Sequence, residues 1–477
     1  MKRPIAPARA VLLCAVITAS VLGGCGNSGE SNTSSVPDSA STVSSGTASE
    51  ESVPSTESSK ESEAPAPAGN SDFRYSTVQR YDENNNLFDA IVIDKYVGSG
   101  KDVTVPEKIE DKPVVSVGAS AFEGTAVETV EINDNISRIE YSCFKNCSAL
   151  KSVKLPSKLT TIDFNVFENC TALESIEIPE GVTIISGESF KGCSSLKEVK
   201  FPNSLASLDS CSFMDCTSLS EITLPSEMTY CGYDVFNNTA FYNNAPEGDV
   251  YIGNVYYAYK VDTDAMDGGH DKIKELSATK KKTFKEGTRL IAGLAFYNSG
   301  SNKDLEPLDI EIPDSVVFVG GNAFYWLNLG SINISAEVAK NSASMCFGTY
   351  VKELRFASDV TELHDYLLSN INIETLEIPA SVRKIGSDTL SLLTDTKTII
   401  IHEGTEYLGE RNFTFCENLE KVYVPASVKE VDGDYEGEFY ESPKIVIYTP
   451  AGSYMESFCK EHNITYKTVK DESEFLA

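Results

Sequence analysis

The stretch that decides the fold is residues 144–224, which divides into lines of 23 residues. The first three lines read FKNCSALKSVKLPSKLTTIDFNV (144–166), FENCTALESIEIPEGVTIISGES (167–189) and FKGCSSLKEVKFPNSLASLDSCS (190–212), and a fourth begins at Phe213. Each line opens with Phe and carries Cys three, Leu six and Pro twelve residues later. A period of about 20–29 residues with recurring leucine is typical of a solenoid, in which every repeat forms one coil.

Each line also predicts the structure of its coil. Residues 150–155 (LKSVKL) alternate apolar and polar side chains, as a half-buried strand does, and Pro156 ends the strand because proline cannot donate to a ladder. A second extended piece, 159–162 (LTTI), precedes a helical turn that carries Phe and Cys. We therefore predict a β-rich, right-handed stack of coils, with a short parallel strand and a helical turn per coil and a spine of buried phenylalanines.

The repeats extend beyond this stretch and divide the chain. Regular repeats occupy residues 119–236, with Phe122 and Phe236 as their outer anchors, and degenerate repeats occupy 279–450. Residues 71–118 are expected to cap the first coil, and 451–477 to form a C-terminal cap and tail, with a helix near 452–461 followed by a strand. The insertion at 237–278 contains VYIGNVYYAY (250–259), which predicts a hairpin that turns at Gly253-Asn254.

The N-terminus has the pattern of an export signal. A basic start precedes an apolar run from 10 to 22, which is too short to be assigned as a membrane span and predicts a signal peptide at 1–24. It ends in Leu22-Gly23-Gly24-Cys25, which resembles the bacterial lipobox, and that resemblance implies that the thiol of Cys25 is diacylated. The alternative is an ordinary signal peptide followed by a chance cysteine. Serine-rich residues 25–70 predict a disordered tether, because they contain too few large apolar side chains to form a core.

The repeat itself, FxxCxxLxxVxLPxxLxxI, resembles the BspA-like class of leucine-rich repeats of bacterial surface proteins. Three other segments are similar to companions of that repeat: GSGKDVTVPEKI (98–109), YIGNVYYAYK (251–260) and the ending AGSY…ITY (451–466). The resemblance covers about residues 73–470. It implies a leucine-rich repeat solenoid that is exported, exposed at the cell surface and associated with adhesion to host matrix proteins or other bacteria. The family brings no catalytic residues and no shared ligand.

Composition and motifs disfavour both an enzyme and a nucleic-acid-binding protein. The net charge is −31, whereas a phosphate backbone must be met by lysine and arginine, so the acidity is better explained by solubility. GSGK (98–101) lacks the hydroxyl residue of a phosphate loop, and the acidic loop at 262–271 lacks the glutamate of a calcium loop. The four histidines lie in separate repeats or loops. We therefore predict no catalytic residue, no cofactor and no metal site.

The cysteine column has two interpretations. Ten cysteines remain after Cys14, which lies in the signal peptide, and Cys25, and four of them occupy the same place in successive repeats. Neighbouring coils lie about 4.8 Å apart, so disulfide pairing along the column is not excluded by geometry. The periodicity favours the other interpretation, in which these cysteines are small buried side chains with free thiols.

Charged residues on the predicted strands alternate in sign from coil to coil in the N-terminal half. Residues of opposite charge on neighbouring parallel strands stabilise each other, so this face is expected to be charge-compensated and structural rather than a ligand site. The alternating positions are Glu128, Lys151, Glu174 and Lys197 in one column and Glu131, Lys154, Glu177 and Lys200 in the other.

The C-terminal half departs from this alternation and supplies the candidate partner-binding residues. Tyrosine and arginine are frequent anchors of protein interfaces, and the first candidates, expected on one exposed surface, are Arg355, Ile400 and Tyr423. The second candidates are the tyrosines of the predicted hairpin: Tyr251, Tyr256, Tyr257 and Tyr259. For these the alternative is that they pack the hairpin onto the solenoid.

These observations predict a lipid-anchored protein on the outer face of a bacterial membrane, exposed at the cell surface. Its solenoid is expected to mediate protein–protein interaction, in adhesion to host or bacterial surface macromolecules. Membrane contact is expected only through the lipid anchor, and nucleic acid is not expected as a partner. The alternative is a structural scaffold of the cell envelope, and an enzyme is the least favoured of the three classes.

Overall fold

Short strands in two rows wind the chain into a solenoid. A computed structural model describes residues 72–477, apart from 83, 262–269, 298–303, 433–438 and 440, and over this part the coil makes about 16 turns. The predicted signal peptide, Cys25, the tether and most of the acidic loop at 262–271 lie outside the described residues. Where a helix is described, it is too short or too polar to cross a membrane.

The first row contains the strands predicted from the alternating pattern, and it confirms a parallel solenoid. Ser175, Ile176 and Glu177 pair in parallel with the residues 23 positions later, and only Ile176 of the three is buried. The strands of this row are β3 (Asp102–Thr104), β6 (Thr129–Glu131), β8 (Ser152–Lys154), β10 (Ser175–Glu177), β12 (Glu198–Lys200), β17 (Lys281–Thr283), β19 (Leu308–Glu311), β21 (Asn328–Ile334), β22 (Tyr350–Phe356), β24 (Thr375–Ile378), β26 (Thr398–Ile401), β28 (Lys421–Tyr423), β30 (Val446–Pro450) and β31 (Tyr466–Val469).

The second row corresponds to the second extended piece of each repeat. Its strands are two residues long, and they also pair in parallel, with Ile185 facing Leu208 of the next coil. The strands of this row are β7 (Arg138–Ile139), β9 (Thr161–Ile162), β11 (Ile184–Ile185), β13 (Ser207–Leu208), β14 (Tyr230–Cys231), β18 (Leu290–Ile291), β20 (Phe318–Val319), β23 (Glu362–Leu363), β25 (Lys384–Ile385), β27 (Tyr407–Leu408) and β29 (Glu430–Val431).

The turn that carries Phe and Cys is held mainly by the next coil. Ser142 and Asn146 both have left-handed backbone angles, with φ of 56° and 61°, which prevents a continuous right-handed helix at this point. Between them, the N–H of Phe144 donates to the carbonyl of Val166 in the next coil at 2.8 Å. The backbone groups of the turn are thus satisfied between coils, as in the strands beside it.

The predicted phenylalanine spine is present. Phe144 and Phe167 are fully buried, and their rings stack with centroids 5.4 Å apart and planes 3° apart. The same stacking joins Phe122, Phe144, Phe167, Phe190, Phe213 and Phe236 in succession. One aromatic ring per coil therefore connects the N-terminal coils through the core.

The N-terminal strands close the first end of this spine. Strand β1 (Phe73–Tyr81) is antiparallel to β2 (Leu87–Tyr96), and β2 is parallel to β5 (Lys112–Val117), which also pairs with β4 (Lys108–Ile109) and β7. The ring of Tyr96 stacks on Phe122 at 5.1 Å, and Phe73 contacts both rings. These strands therefore cover the first phenylalanine of the column.

The predicted hairpin forms at the break in the repeats. Strands β15 (Gly248–Ile252) and β16 (Val255–Lys260) are antiparallel, with Ile252 opposite Val255 across the two-residue turn. Helices α1 (Ala240–Asn244) and α2 (His270–Ala278) flank the hairpin. Strand β16 is also parallel to β18, so the hairpin joins the second row of strands.

The C-terminal end has the predicted helix and strand. Helix α4 (Tyr454–His462) begins after Ser453, whose hydroxyl accepts the N–H of Glu456 at 3.1 Å. Strand β31 pairs in parallel with β30, and α5 (Glu472–Leu476) follows it. A further short helix, α3 (Ala336–Asn341), lies between β21 and β22.

Candidate partner-binding surface

The alternating charges of the N-terminal coils form ion pairs, as predicted. The carboxylate of Glu128 contacts the ammonium groups of both Lys101 and Lys151 at 2.5 Å. Between neighbouring strands further along, Lys154 pairs with Glu131 at 2.5 Å, Lys197 with Glu174 at 3.0 Å and Lys200 with Glu177 at 3.6 Å. Because these charges neutralise one another, this face presents little uncompensated charge to a partner.

Charge compensation also continues into the C-terminal half, further than the sequence pattern suggested. Lys281 pairs with Glu311 at 2.6 Å, and Lys397 pairs with Glu374 at 2.8 Å. The departure of this half from the N-terminal pattern is therefore local rather than general, and it centres on the strands around Arg355.

Arg355 lies beside a shallow groove on the first row of strands. Its side chain is 55% exposed, and its guanidinium donates to both carboxylate oxygens of Glu353 at 2.9 and 2.7 Å. These hydrogen bonds raise the pKa of Arg355 above its ordinary value. They also orient the guanidinium. The residues that line the groove with it include the half-buried Phe284 and Pro313 and the polar Glu311 and Asn333; Ile312 also lines it but is only 3% exposed.

Asn333 completes the wall of this groove. Its side-chain oxygen accepts the N–H of Ile312 at 2.6 Å, and its side-chain nitrogen donates to the carbonyl of the same residue at 2.7 Å. The Asn333 side chain therefore makes both hydrogen bonds that a neighbouring strand would make to the backbone of Ile312, and it fixes the position of this part of the groove. We call the surface formed by these residues the Arg355 groove.

The prediction that Ile400 and Tyr423 are exposed is wrong. They lie on neighbouring strands, as expected, but they are only 3% and 2% exposed. Helix α5 returns over them, with Phe475 5.5 Å from the Tyr423 ring, and this burial raises the pKa of Tyr423 to about 12. A repeat pattern cannot show that a segment outside the repeats covers the sheet.

Two of the four hairpin tyrosines are buried within the solenoid. The hydroxyl of Tyr256 donates to Asp249 at 3.1 Å, and the hydroxyl of Tyr257 accepts the N–H of Phe236 at 2.8 Å. Burial raises the pKa of both tyrosines well above the ordinary value. Tyr257 packs in the core of the N-terminal coils and Tyr256 in the core of the later coils, so the hairpin joins the two cores.

The other two hairpin tyrosines are half-buried. The hydroxyl of Tyr251 accepts the N–H of Lys285 at 2.9 Å, and the ammonium of Lys285 lies 4.0 Å from the centre of the same ring. The ring of Tyr259 stacks on Phe296 at 6.0 Å. All four tyrosines therefore have packing contacts with the solenoid, as the alternative interpretation of the hairpin expected.

A second groove, which the sequence did not indicate, lies beside the second row of strands. It extends from Phe164 to Tyr233 across the two coils between them, where Gly187 and Ser210 occupy the corresponding positions. The only sequence signal is a column, at a spacing of 23 residues, in which two small residues lie between two aromatic ones. We call this surface the Phe164 groove.

The cysteines confirm the buried-thiol interpretation. All ten that fall within the described residues are buried and form no disulfide. Burial raises the pKa of the Cys193 thiol to about 12, which leaves little thiolate at neutral pH. In the same part of the chain, no three His, Cys, Asp or Glu side chains converge as metal ligands would.

Comparison with known proteins gives one family match. The family described as BspA type leucine-rich repeat region matches in six copies, over residues 115–243, 274–350 and 319–445. None of the curated proteins compared with the chain matches it.

Three solved structures are similar to the chain. A leucine-rich repeat protein of T. pallidum is 29% identical, covering 36% of this chain and 77% of its own, with a TM-score of 0.33. A leucine-rich repeat protein from Bacteroides ovatus is 20% identical, and the match covers 83% of this chain and 98% of that protein, with a TM-score of 0.36. A leucine-rich cell surface protein of Faecalibacterium prausnitzii is 19% identical, and the match covers 83% of this chain and 97% of that protein, with a TM-score of 0.34.

Proposed function

The chain belongs to the BspA-type leucine-rich repeat family, and on that basis we propose that it is an adhesin whose solenoid binds a protein at the surface of a host cell or another bacterium. Proteins of this repeat family are commonly interaction proteins of the cell surface. We propose adhesion as the role, a protein as the partner and lipid as the means of attachment.

The observation that supports partner binding best is the Arg355 groove. It combines an exposed guanidinium, oriented by Glu353, with the half-buried apolar residues Phe284 and Pro313. Interface anchors are enriched in arginine, and apolar contact area surrounded by polar groups is typical of protein interfaces. The charges of the N-terminal columns pair with one another between neighbouring coils, which favours a structural role for that face.

We further propose that Cys25 carries the lipid that attaches the protein to the outer face of the membrane. The support is the sequence Leu22-Gly23-Gly24-Cys25 and the serine-rich segment after it, which would act as a spacer. Growth with a labelled fatty acid tests the attachment. Label is expected on the wild-type protein and absent from Cys25→Ala, whereas label retained in the variant would contradict the proposal.

Adhesion is tested with cells that carry the protein and otherwise identical cells that lack it. The fraction of cells retained on immobilised host matrix protein, or on a layer of other bacteria, is expected to fall when the protein is missing. Adhesion would be contradicted if cells with and without the protein were retained equally on each surface. If the cells without the protein were also more sensitive to detergent, the scaffold alternative would be favoured. Returning the gene with the solenoid residues 119–450 deleted provides the control for the role of the repeats.

A further inference from the structure

The Phe164 groove has a floor of small residues between two aromatic walls. Phe164, Gly187, Ser210 and Tyr233 occupy equivalent positions in four successive coils, 23 residues apart. A Cβ added to Gly187 would lie 3.5 Å from the Phe164 ring and 3.2 Å from the carbonyl of Ser210. The coil spacing of about 4.8 Å places the backbones of Phe164 and Tyr233 roughly 14 Å apart, and the Phe164 ring, which packs beside Gly187, narrows the space between them.

The aromatic side chains of the groove are not fully buried. Phe164 is 52% exposed, and Tyr233 and Tyr230 are half-buried. Tyr230 contacts Phe318 with ring centroids 4.9 Å apart, which fixes its ring at the side of the groove. Aromatic faces of this kind attract cations, most strongly when water is excluded between them.

Two carboxylates lie between the aromatic walls. Glu188 accepts hydrogen bonds from Asn165 and Lys191, both at 3.0 Å, so its charge is partly compensated. Asp209 accepts one hydrogen bond, from the hydroxyl of Ser207 at 3.0 Å. Across the part of the chain that the structure describes, Asp209 has no ion-pair partner.

The environment of Asp209 disfavours its negative charge in the absence of a cation. Burial raises the pKa of Asp209, and the hydrogen bond from Ser207 lowers it by less. Burial, and then the charge of Asp209, also raises the pKa of Tyr230 well above its ordinary value. A cation in the groove would relieve both effects, because a partly buried carboxylate gains most from a neighbouring positive charge.

We infer that the Phe164 groove binds an arginine or lysine side chain of an extended peptide segment in a protein partner. The cationic group would contact Asp209 and the faces of the aromatic walls, and the neighbouring peptide residues would lie over Ser210. A guanidinium fits this arrangement well, since it donates to carboxylates and stacks on aromatic rings at the same time. This inference rests on the proposed function, in that it names the chemistry of a protein partner.

A pair of synthetic peptides tests the inference without any natural partner. One is a flexible seven-residue peptide of glycine and serine with a central arginine, and the other carries citrulline at the same place. Citrulline has nearly the shape of arginine but no charge. We expect the arginine peptide to bind the full chain at least about tenfold more tightly, measured by fluorescence anisotropy, which is typical of a hydrogen bond between charged groups.

Four variants locate the binding. Asp209→Asn keeps the shape of the side chain and is expected to remove most of the preference for arginine, and Phe164→Ala is expected to weaken binding of the arginine peptide by about two- to fivefold. The matched controls are Glu198→Gln, which removes one exposed charge from a first-row strand, and Tyr81→Ala, which removes an exposed ring from β1. Both are expected to bind like the wild type.

The outcomes separate the inference from the proposed function. Equal binding of the arginine and citrulline peptides, or an unchanged preference in Asp209→Asn with a normal circular dichroism spectrum, would overturn the inference. Equal losses in Glu198→Gln and Asp209→Asn would also overturn it, because they would show general attraction to an acidic chain. The peptide measurement does not involve cells. If the arginine peptide binds as expected but the adhesion experiment fails, only the proposed function is contradicted.

Discussion

The thiol of Cys170 donates a hydrogen bond to the main-chain carbonyl of Phe144 in the preceding coil, with Sγ and O 3.1 Å apart. The same bond recurs along the column, from Cys147 to Phe122, Cys193 to Phe167 and Cys216 to Phe190. Cysteine suits this position because it is small, apolar and still a weak donor. The cysteine column therefore ties each coil to the one before it without a covalent bond.

These thiols are expected to be unreactive while the protein is folded. They are buried, and the pKa of the Cys193 thiol is about 12, so almost no thiolate is present for attack on a reagent. Incubation with an alkylating reagent at pH 8, followed by mass spectrometry, should show modification only after denaturant is added. Rapid labelling of Cys170 or Cys193 under native conditions would contradict the buried position.

Replacing a ring of the phenylalanine spine should destabilise the solenoid strongly. Phe167→Ala removes a fully buried ring between two stacked neighbours and should lower the free energy of unfolding by roughly 3–5 kcal/mol. Phe164→Ala is the matched control, because it removes the same kind of side chain from a half-exposed site three residues earlier in the chain. Urea denaturation followed by circular dichroism checks both; similar losses in the two variants would disprove the special role of the spine.

The Glu128 ion pairs predict a dependence of stability on pH. Hydrogen bonds from Lys101 and Lys151, and then the charges of these lysines, lower the pKa of Glu128 from 4.5 to about 2. Because the folded pKa is lower than the unfolded one, ionised Glu128 contributes stability that is fully present above about pH 4.5 and is lost as the pH falls towards 2. The unfolding midpoints of the wild type and Glu128→Gln should therefore differ at pH 6 and converge near pH 2. A difference that stays constant over this range would argue against the ion pairs.

The hairpin is attached to the following coil by a buried lysine. Lys282 is 7% exposed and donates to both oxygens of Asp249, at 2.6 and 2.7 Å, whereas Asp249 is 40% exposed. Asp249→Ala leaves the ammonium without its partner and should lower the free energy of unfolding by roughly 1.5–3 kcal/mol.

The double variant Asp249→Ala/Lys282→Met tests the reason for that loss. It removes the buried charge together with its partner, so it should recover at least half of the stability lost in Asp249→Ala. Additive losses in the double variant, measured by urea denaturation, would show that Lys282 stabilises the fold through something other than this pair.

The fold was predictable because every coil repeats the same physical pattern. The column of Phe144, Phe167, Phe190 and Phe213 sets the period, and the alternation around Ile176 sets which strand residues are buried. The ion pairs between neighbouring coils followed from the same period, because side chains 23 residues apart become neighbours in a parallel stack.

The candidate surface was less predictable because it depends on residues that do not follow the period. Tyr423 occupies a strand position that is exposed in other coils, yet Phe475 of the last helix covers it. Tyr256 and Tyr257 resemble an exposed aromatic hairpin in the sequence, but β16 joins the row of strands and buries them. The Phe164 groove depends on how Gly187 and Ser210 shape the space between two aromatic rings, which requires the folded backbone.

We propose that partner contacts lie at the Arg355 groove and not on the N-terminal ion-pair columns. Two single variants test it directly: Arg355→Ala in the groove and Lys200→Ala in the columns, each of which removes an exposed cation paired with a glutamate. The measurement is the fraction of cells that each variant retains on the surface to which the wild type adheres. We predict that Arg355→Ala lowers retention by about tenfold, as expected for an interface anchor, and that Lys200→Ala leaves it unchanged. Loss of retention in Lys200→Ala with normal retention in Arg355→Ala would contradict the claim.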